Sequence, residues 1–567
     1  MTEPATQESV VPQWAGTVGR GETRLELFKR GDQLWVEMFD VDRLLGNLRR
    51  YIDQKTAPRI ERQVLLVTGS HHKQIFWYAT GSGTRLGMLP WSYLIEAKRW
   101  VPRSATFLRP EKRQEFPESG RWNTTCLRCH TTGPRPRYTR SSAPKPQSDV
   151  VEHGIACEAC HGPAARHRAN HANPLRRYAS YLGLGAGDDV VNPTDLDASR
   201  GSQVCAYCHS AFVFRADKDL HAFVKFGPQF RPGDRLKDRY HVIRHGDAAD
   251  GTAMTRLKRL NPGLLDKLFW SDGMIKTGGR EYTASVESKC HTDGEGDRQL
   301  SCMSCHQLHK KRDDPRPNKE WMDDQVGAGM KGDAACTGCH PKPSYRTDSH
   351  THHAADSAGS RCMNCHMPHA TYTLLKATRD HLIQSPSAAV ASRTGRPSAC
   401  NLCHLDKSLG WTSRRLGAWY GKPIPPLTAD EDNLPIGVRW GLAGDALQRA
   451  LVVWHMGWEP ARKASGADWM PLVLLQRLTD PYPAVRFMAK RVLKLHSTID
   501  VAEYDWIGRT SERMKVAARA FRGWVQHHNR AMPPAPGQVI GEPMPVKRAD
   551  FDRLLSDRDD KKVDLPE

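Results

Sequence analysis

A pentapeptide of the form Cys-x-x-Cys-His occurs seven times between residues 126 and 404. The copies use fourteen of the fifteen cysteines in the 567-residue chain. Their cysteines are Cys126, Cys129, Cys157, Cys160, Cys205, Cys208, Cys302, Cys305, Cys336, Cys339, Cys362, Cys365, Cys400 and Cys403. Their histidines are His130, His161, His209, His306, His340, His366 and His404. Whatever these side chains hold must set the fold of this part of the chain.

Three groups of binding chemistry use closely spaced cysteines. Zinc sites do not need a histidine directly after the second cysteine. A thioredoxin-like dithiol needs one motif in a βαβ setting, not seven copies. Covalent haem attachment needs this arrangement, because two thiols bond to the vinyl groups and the adjacent histidine reaches the iron. The sequence therefore predicts seven haems c, with the fourteen cysteines as thioether anchors and the seven histidines as proximal iron ligands.

The motifs are dense. They leave roughly 40 residues of chain for each haem, too few to enclose every haem in a separate pocket. Neighbouring porphyrins should therefore approach one another and form a chain of haems. Only 39% of the residues are hydrophobic, which is expected if porphyrins supply part of the core.

Each haem iron also has a distal position. A second histidine there gives a saturated iron suited to electron transfer, whereas an open iron can bind a substrate. Fifteen further histidines precede His404 and supply more side chains than seven irons need. His309 and His369 follow a proximal histidine by three residues, so on a helix each would face a neighbouring haem. His72 and His245 are candidates from the same pool, and a surface histidine is the competing interpretation.

Cys290 lies alone in the segment ESKCHTDGEGD. It is either a free thiol near the fourth haem or a thiolate ligand or redox residue. No Cys-x-x-Cys-Lys motif occurs, which removes the usual sign of a lysine-ligated catalytic haem and weighs against nitrite-reductase chemistry.

The flanking segments have different patterns. RLELFKRGDQLWVEM alternates apolar and polar residues across a Gly-Asp turn, which predicts a hairpin. Beyond about residue 435, apolar residues recur at helical spacing, and LTDPYPAVRFMAKRVL resembles a HEAT repeat. The predicted fold is mainly α with little regular structure around a haem chain, a small N-terminal β-rich unit and a C-terminal HEAT-like helical cap. The predicted units are a disordered N-terminus (1–15), the β-rich unit (16–115), the heptahaem domain (116–410), the helical domain (411–530) and a mobile charged tail (531–567).

Several segments together resemble a known family. They are GSHHKQIFWY, RWNTTCLRCH, GIACEACHGPAARH, GGREYTASVESKC, LSCMSCHQLH, DSHTHHAADSAGSRCMNCHMPHATY and RDHLIQSP, which cover most of residues 64–404. The chain resembles the multihaem cytochromes c of the cytochrome c-554/hydroxylamine oxidoreductase superfamily, and more closely bacterial members that carry C-terminal helical repeats. By that resemblance His167, one of His352 and His353, and His381 are expected to be distal ligands. Such proteins are similar in carrying electrons outside the cytoplasm, sometimes with reductase or oxidase activity at one haem.

The formal net charge of +20 could suggest a nucleic-acid partner. No basic run or aromatic-basic module accompanies this charge, so we expect no nucleic-acid binding. We expect the basic side chains to lie around haem propionates. No apolar run is long enough for a transmembrane helix. The N-terminus has no export-signal pattern. Because haem c is attached outside the bacterial cytoplasm, we expect a trimmed or misassigned start and a periplasmic or extracellular protein.

Three functions remain open at this point. The first is an electron carrier that exchanges electrons with a redox protein or a small-molecule donor or acceptor. The second is an oxidoreductase in which one open haem acts on a small nitrogen or sulfur compound. The third is a scaffold whose helical part recruits a redox partner. The sequence favours the electron carrier over the enzyme, and it does not determine the oligomeric state.

Overall fold

The fold was examined in a computed structural model of the chain. The structure describes residues 2–19, 24–40, 59–111, 118–137, 147–184, 190–246, 252–531, 538–540, 546–563 and 565. An antiparallel sheet comes first, a region of short helices and loops carries the seven motifs, and a helical region follows.

The N-terminal sheet has nine strands, and all of its pairings are antiparallel. The strands are β1 (Thr2–Pro4), β2 (Gly16–Val18), β3 (Leu25–Arg30), β4 (Gln33–Phe39), β5 (Arg59–Thr68), β6 (Lys73–Ala79), β7 (Leu86–Leu94), β8 (Arg99–Pro102) and β9 (Glu118–Ser119). Strands β2 to β8 are neighbours in chain order, while β1 pairs with β5 and β9 with β7. The predicted β-rich unit is confirmed as an antiparallel sheet.

The alternating pattern in β3 and β4 explains their hairpin. Leu25 and Leu27 of β3 are buried, as are Leu34 and Val36 of β4, so one face of the ribbon enters the core. Gly31 has a φ of 58° in the turn between them, a left-handed conformation that glycine adopts without steric penalty.

The first fifteen residues differ from the predicted disorder. Strand β1 adds to the edge of β5, where Thr2 lies opposite Thr68. The Trp14 ring is buried, and its Nε1 donates to the carbonyl of Trp35 at 2.9 Å. A tryptophan and a strand edge give the described residues 2–15 contact with the sheet, while the boundary at residue 15 stays a prediction.

The motif region contains short helices joined by loops. The helices are α1 (Leu127–His130), α2 (Cys157–His161), α3 (Ala165–Ala172), α4 (Pro174–Tyr181), α5 (Ala198–His209), α6 (Asp217–Phe226), α7 (Thr252–Leu260), α8 (Leu264–Leu268), α9 (Glu281–Ser285), α10 (Lys289–Thr292), α11 (Asn318–Asp324), α12 (Ala334–Thr337), α13 (Asp348–Thr351), α14 (Cys362–His366), α15 (Ala388–Thr394) and α16 (Ala399–Cys403). Three two-stranded ribbons lie among them: β10 (Thr131–Thr132) with β11 (Glu152–His153), β12 (Phe212–Phe214) with β13 (Tyr240–Val242), and β14 (Thr371–Thr373) with β15 (Lys376–Thr378).

The C-terminal region is helical, as predicted. Its helices are α17 (Leu409–Tyr420), α18 (Ala429–Asn433), α19 (Ile436–Ala443), α20 (Ala446–Met456), α21 (Glu459–Ser465), α22 (Met470–Arg477), α23 (Pro483–Leu493), α24 (Thr510–Ala531) and α25 (Arg548–Ser556). A last ribbon joins β16 (Gln538–Ile540) to β17 (Val546–Lys547). Helices α19, α20, α22 and α23 pack on one another around a large apolar cluster. A repeat of the HEAT type remains a prediction.

Part of the predicted mobile tail is a packed helix in the described residues. Phe551 and Leu554 of α25, three positions apart on one face, are buried against the apolar cluster of the helical region. The Arg553 guanidinium binds the Asp430 carboxylate at 2.9 Å through two nitrogen–oxygen contacts. The charged composition of the tail predicts a solvated segment, because composition does not register a stripe of only two apolar residues.

No helix within the described ranges combines the length and the apolar character that crossing a membrane would require.

Candidate haem-binding sites

A single helical turn brings the three conserved positions of a motif together. In the fourth, fifth and seventh motifs the histidine backbone N–H donates to the carbonyl of the first cysteine, at 2.9, 2.9 and 2.8 Å. Residues three apart on such a turn face the same side. The two thiols of a motif can therefore reach one planar ligand, and the next residue continues beside them.

Four motif histidines each face a second histidine. The rings of His161 and His309 face each other with centroids 6.1 Å apart, and those of His306 and His381 with centroids 6.4 Å apart. The centroids of His366 and His350 are also 6.4 Å apart, with an interplanar angle of 4°. His404 faces His353 at 6.0 Å.

This spacing is too large for direct ring stacking and matches a metal between the rings. Two metal–nitrogen bonds of about 2.0 Å, with half an imidazole on either side, put the ring centroids about 6 Å apart. All four pairs lie at 6.0–6.4 Å, and their interplanar angles range from 4° to 28°. The donor sets therefore fit a six-coordinate iron with two axial histidines.

Backbone carbonyls hold several of these rings through Nδ1. His161 Nδ1 lies 2.8 Å from the Val191 carbonyl oxygen, and His366 Nδ1 lies 3.1 Å from that of Gln384. His306 Nδ1 contacts the Asp324 carbonyl at 3.0 Å. A carbonyl can only accept, so Nδ1 carries the proton and Nε2 keeps its lone pair for a metal.

His209 of the third motif has a different partner. Its Nδ1 lies 2.9 Å from the Glu281 carboxylate rather than a backbone carbonyl. The hydrogen bond to Glu281 raises the pKa of His209. Burial raises the pKa of Glu281, but the hydrogen bond and charge of His209 outweigh it and lower the pKa to about 2. The third motif thus carries a histidine backed by an ionised acid.

Three motif histidines have no second histidine ring beside them in the described parts of the chain: His130, His209 and His340. The ring near His340 belongs to Tyr345, edge-on at a centroid distance of 6.0 Å. The pKa of His130 is lowered to about 4, mainly by burial and in smaller part by the charge of His209. The first, third and fifth motifs therefore differ from the other four.

Five of the eight distal candidates do not face a motif histidine. The His352 ring stacks on Trp419 with centroids 4.2 Å apart, and the His167 ring lies tilted against that of His171 with centroids 4.3 Å apart. His245 meets Phe269 edge-on at 6.4 Å. His72 lies near Lys376, with 3.4 Å between Nε2 and Nζ.

His369 lies in an aromatic cluster of the helical region. Its ring is 5.2 Å from both Trp454 and Trp458, and 6.4 Å from His455. Burial lowers the pKa of His369 to about 2. His309 therefore faces a motif histidine of another site, as its i, i+3 spacing predicts. His369 has the same spacing but packs against Trp454 of α20 instead.

Sequence reasoning did not select His350 or Glu281. His350 is one of three histidines in the segment DSHTHH, of which the family resemblance points only to His352 and His353. Its 16-residue separation from His366 gives no periodic signal. Glu281 follows Gly279 and Arg280 in a segment without a motif, and its 72-residue separation from His209 also left no local pattern.

Thiols of different motifs meet in space. Cys129 contacts Cys208, Cys205 contacts Cys302, and Cys336 contacts Cys362. The pairs join the first motif to the third, the third to the fourth, and the fifth to the sixth. The motifs are therefore not seven isolated sites.

Weaker electrostatic contacts join the remaining motifs. Burial and nearby thiols that include Cys339 raise the pKa of Cys305, which links the fourth motif to the fifth. Burial, Cys400 and Cys403 raise the pKa of Cys365 to about 12, which links the sixth to the seventh. Cys160 of the second motif adds to the raised pKa of Cys205. The attachment points form one connected series, with the third motif as its branch point.

Residues 287–369 of the motif region contribute no side chain to an apolar core. No hydrophobic side chain is buried between Val286 and Ala370, a stretch that holds the fourth, fifth and sixth motifs and lies wholly in a described range. A packed protein interior needs apolar surface to offset the loss of chain entropy. Large planar porphyrins held by the motif cysteines would supply that surface, so the residues present fit haem c.

Comparisons with known proteins give one family match. Residues 96–162 match the family model described as cytochrome c554 and c-prime, and this segment contains the first two motifs. The match supports a c-type cytochrome and implies covalently bound haem c. A search of curated protein sequences gave no match.

A search of solved structures finds the crystal structure of outer cell wall cytochrome OcwA. It is 19% identical, with a TM-score of 0.41, over 76% of this chain and 88% of that chain. A TM-score of this size does not establish a common fold.

Proposed function

We propose that this protein is an extracytoplasmic multihaem cytochrome that carries electrons along seven covalently bound haems c to or from a redox partner. The observation that carries the proposal is the set of four motif histidines facing second histidines at 6.0–6.4 Å. Bound haem supplies an iron that alternates between Fe(III) and Fe(II).

The side chains have distinct roles in this proposal. The motif cysteines hold the porphyrins, and the motif histidines bind iron through Nε2. His309, His381, His350 and His353 are the distal ligands of the second, fourth, sixth and seventh haems. Two axial histidines held by their surroundings keep the coordination unchanged between oxidation states, which suits electron transfer rather than substrate binding.

We further propose an order for the haems. The thiol contacts support the series first, third, fourth, fifth, sixth and seventh, with the second beside the third. One end then lies beside the N-terminal sheet, where Cys126 packs with Trp122, Leu127 and Trp77. The other end lies at the helical region, where the seventh motif's helix α16 packs on α21. Partners would meet the protein near these ends.

Haem content tests the proposal directly. Protein exported in a host that attaches haem c should carry seven haems by intact mass and by the absorbance of extracted haem. The double variant Cys400→Ala/Cys403→Ala should carry six. Cys290→Ala, which lies outside every motif, is the matched control and should keep seven. A full-length protein with no covalent haem, or one found haem-free in its native cytosol, would contradict the proposal.

A second function is favoured by one observation, the lack of a facing histidine at His130, His209 and His340. If one of these irons is open, the protein is an oxidoreductase acting on a small nitrogen or sulfur compound. Ferric high-spin signals that shift on adding nitrite, hydroxylamine or sulfite would support it. Seven low-spin haems with no response to these compounds would leave the electron carrier.

A further inference from the structure

A cationic cavity lies beside the third motif. It has a volume of about 710 Å³ and lies between helix α5, ribbon β12–β13 and helix α9. Its charged lining is Asp197, Arg200, Arg215, Arg235, Lys237 and Arg244. Five cations against one carboxylate leave a formal charge of +4 around one space. Cavities of this size are large enough for a small organic molecule.

Four of the five cations, Arg200, Arg215, Arg235 and Lys237, have no carboxylate within ion-pair distance among the described residues. Arg200 Nε donates to the Gly233 carbonyl at 2.8 Å, and Arg215 Nη1 donates to the Lys237 carbonyl at 3.0 Å. Only Arg244 has a carboxylate nearby, that of Glu287 at 3.7 Å. Guanidinium groups fixed by carbonyls keep further N–H donors for an anion.

Arg235 and Lys237 are the clearest ligand-binding side chains. Both are exposed and border the cavity, and neither side chain has a hydrogen-bond or ion-pair partner among the described residues. Like charges gathered without counter-charges repel one another, so a bound anion would relieve that repulsion. The Tyr240 and Tyr282 side chains line the same space and offer aromatic contact beside the charges.

The cavity is not the attachment face of the third haem. On helix α5, Arg200 and Gln203 border the cavity, whereas Cys205 and Cys208 lie about 140° away around the helix axis. The cavity face and the cysteine face of α5 are nevertheless separated by only the width of one helix. Tyr282, which borders the cavity, directly follows Glu281, whose carboxylate contacts His209.

We propose that this cavity binds a small organic polyanion, with carboxylate, phosphate or sulfonate groups, and that the bound anion biases the third haem toward its oxidised state. The second part rests on the proposed function. A negative charge near an iron favours Fe(III), so by linkage the oxidised protein binds the anion more tightly than the reduced protein. About tenfold tighter binding corresponds to a potential lowered by about 59 mV for one electron.

Calorimetry on the holoprotein tests the site, once seven haems have been counted in the sample. The probe is benzene-1,3,5-tricarboxylate, and its uncharged triamide is the ligand control. We expect saturable binding of the tricarboxylate and none of the triamide. Loss of two charge-assisted contacts in Arg235→Gln/Lys237→Gln should weaken binding about 100-fold. The matched control Arg491→Gln/Lys494→Gln removes two exposed cations from the helical region and should change binding less than about twofold.

Redox titration of the same samples tests the link to the third haem. One component of the wild-type titration should move to more negative potential with the tricarboxylate, and that shift should vanish in Arg235→Gln/Lys237→Gln. Absence of saturable binding to protein with seven haems overturns the site but leaves the proposed function intact. Equal weakening in both double variants shows general charge attraction and also overturns it. Binding without a shift overturns the link to the haem.

Discussion

At the scale of single residues, the acceptor behind each motif histidine would set the electron density that reaches an iron bound as proposed. His161, His306 and His366 contact backbone carbonyls, whereas His209 contacts the Glu281 carboxylate. A carboxylate polarises the ring toward an imidazolate and makes Nε2 a stronger base. Stronger electron donation from Nε2 of His209 favours Fe(III), so this contact should lower the reduction potential of the third site relative to its neighbours.

Replacing Glu281 tests this role. In Glu281→Gln the acceptor is neutral, so Fe(III) at the third site should lose about 1–2 kcal/mol of stabilisation and one component should titrate at a more positive potential. Redox titration followed by absorbance measures it. Glu503→Gln, in which the exposed Arg519 of the helical region rather than His209 loses a carboxylate partner, is the control. An unchanged titration in Glu281→Gln would show that the contact only positions the ring.

His309 and His369 should respond differently to truncation. His309→Ala removes the ring facing His161, so one ferric haem should become high-spin or bind an added ligand such as imidazole. His369→Ala removes a ring held between Trp454 and Trp458, so the spin states should stay unchanged while the helical region loses stability. Electron paramagnetic resonance separates the outcomes, and a new high-spin signal in His369→Ala would contradict the assignment.

At the scale of elements, buried charge organises the helical region. Asp480 follows α22 and is fully buried with Arg449 and Arg477, at 2.7 and 3.2 Å. Its backbone carbonyl also accepts from Arg486 of α23 at 2.7 Å. The turn at Asp480 therefore connects the three helices α20, α22 and α23. Such a network is costly to disrupt from one side, because it leaves a buried charge unpaired.

Asp480→Asn should destabilise the helical region by about 3–5 kcal/mol, since two buried guanidinium groups lose their counter-charge. Denaturant unfolding monitored by tryptophan fluorescence measures the change. Asp500→Asn is the matched control, because the exposed Asp500 accepts only the Ala502 backbone N–H within the described chain. A loss below about 1 kcal/mol in Asp480→Asn would show that water or rearranged partners compensate for the missing charge.

Acid should weaken the contact between β9 and the turn after β8. Burial raises the pKa of Glu118, but Arg103 and Arg121 outweigh it and hold the pKa at about 2. A carboxylate with a depressed folded-state pKa stabilises the protein above its unfolded pKa, and the gain is lost as the pH falls toward 2. Because Glu118 is partly exposed, the contribution at neutral pH should be only about 1 kcal/mol.

The measurement compares the melting temperatures of wild-type protein and Glu118→Gln at pH 7 and pH 3. The variant should melt lower at pH 7, and the gap should narrow at pH 3, where Glu118 of the unfolded wild-type chain is protonated and its ionised form no longer favours folding in full. A gap that stays constant with pH would mean that the glutamine loses packing rather than charge.

At the scale of the whole molecule, apolar burial is divided between the two ends. One large cluster fills the helical region and another lies beneath the N-terminal sheet. Smaller clusters lie within residues 66–127 and 204–286, and no cluster among the described residues includes a buried hydrophobic side chain from 287–369. Residues 287–369 should therefore depend on bound haem for their order far more than the two ends do.

Hydrogen exchange on protein made without haem attachment tests this dependence. We expect residues 287–369 to exchange rapidly, while β5–β7 and helices α19–α23 stay protected by their own cores. In the holoprotein, residues 287–369, strands β5–β7 and helices α19–α23 should all be protected from exchange. Strong protection of 287–369 without haem would show that the segment folds independently of the porphyrins.

The sequence by itself predicted the attachment points, because a cysteine pair and its histidine act within one helical turn and need no distant residue. It also determined the β-rich start and the helical end, where strand and helix periodicities are strong. The HEAT-like repeat and the number of haems stay predictions.

Only the tertiary structure decided which histidines face each other. The partners in the four pairs are separated by 16 to 148 residues, so their encounters depend on how loops and short helices pack rather than on local spacing. The same reason explains why His350 and Glu281 were missed and why His369 was chosen. Each cysteine–histidine motif is set by adjacent residues, whereas the histidines that face four of the motif histidines come from distant parts of the chain.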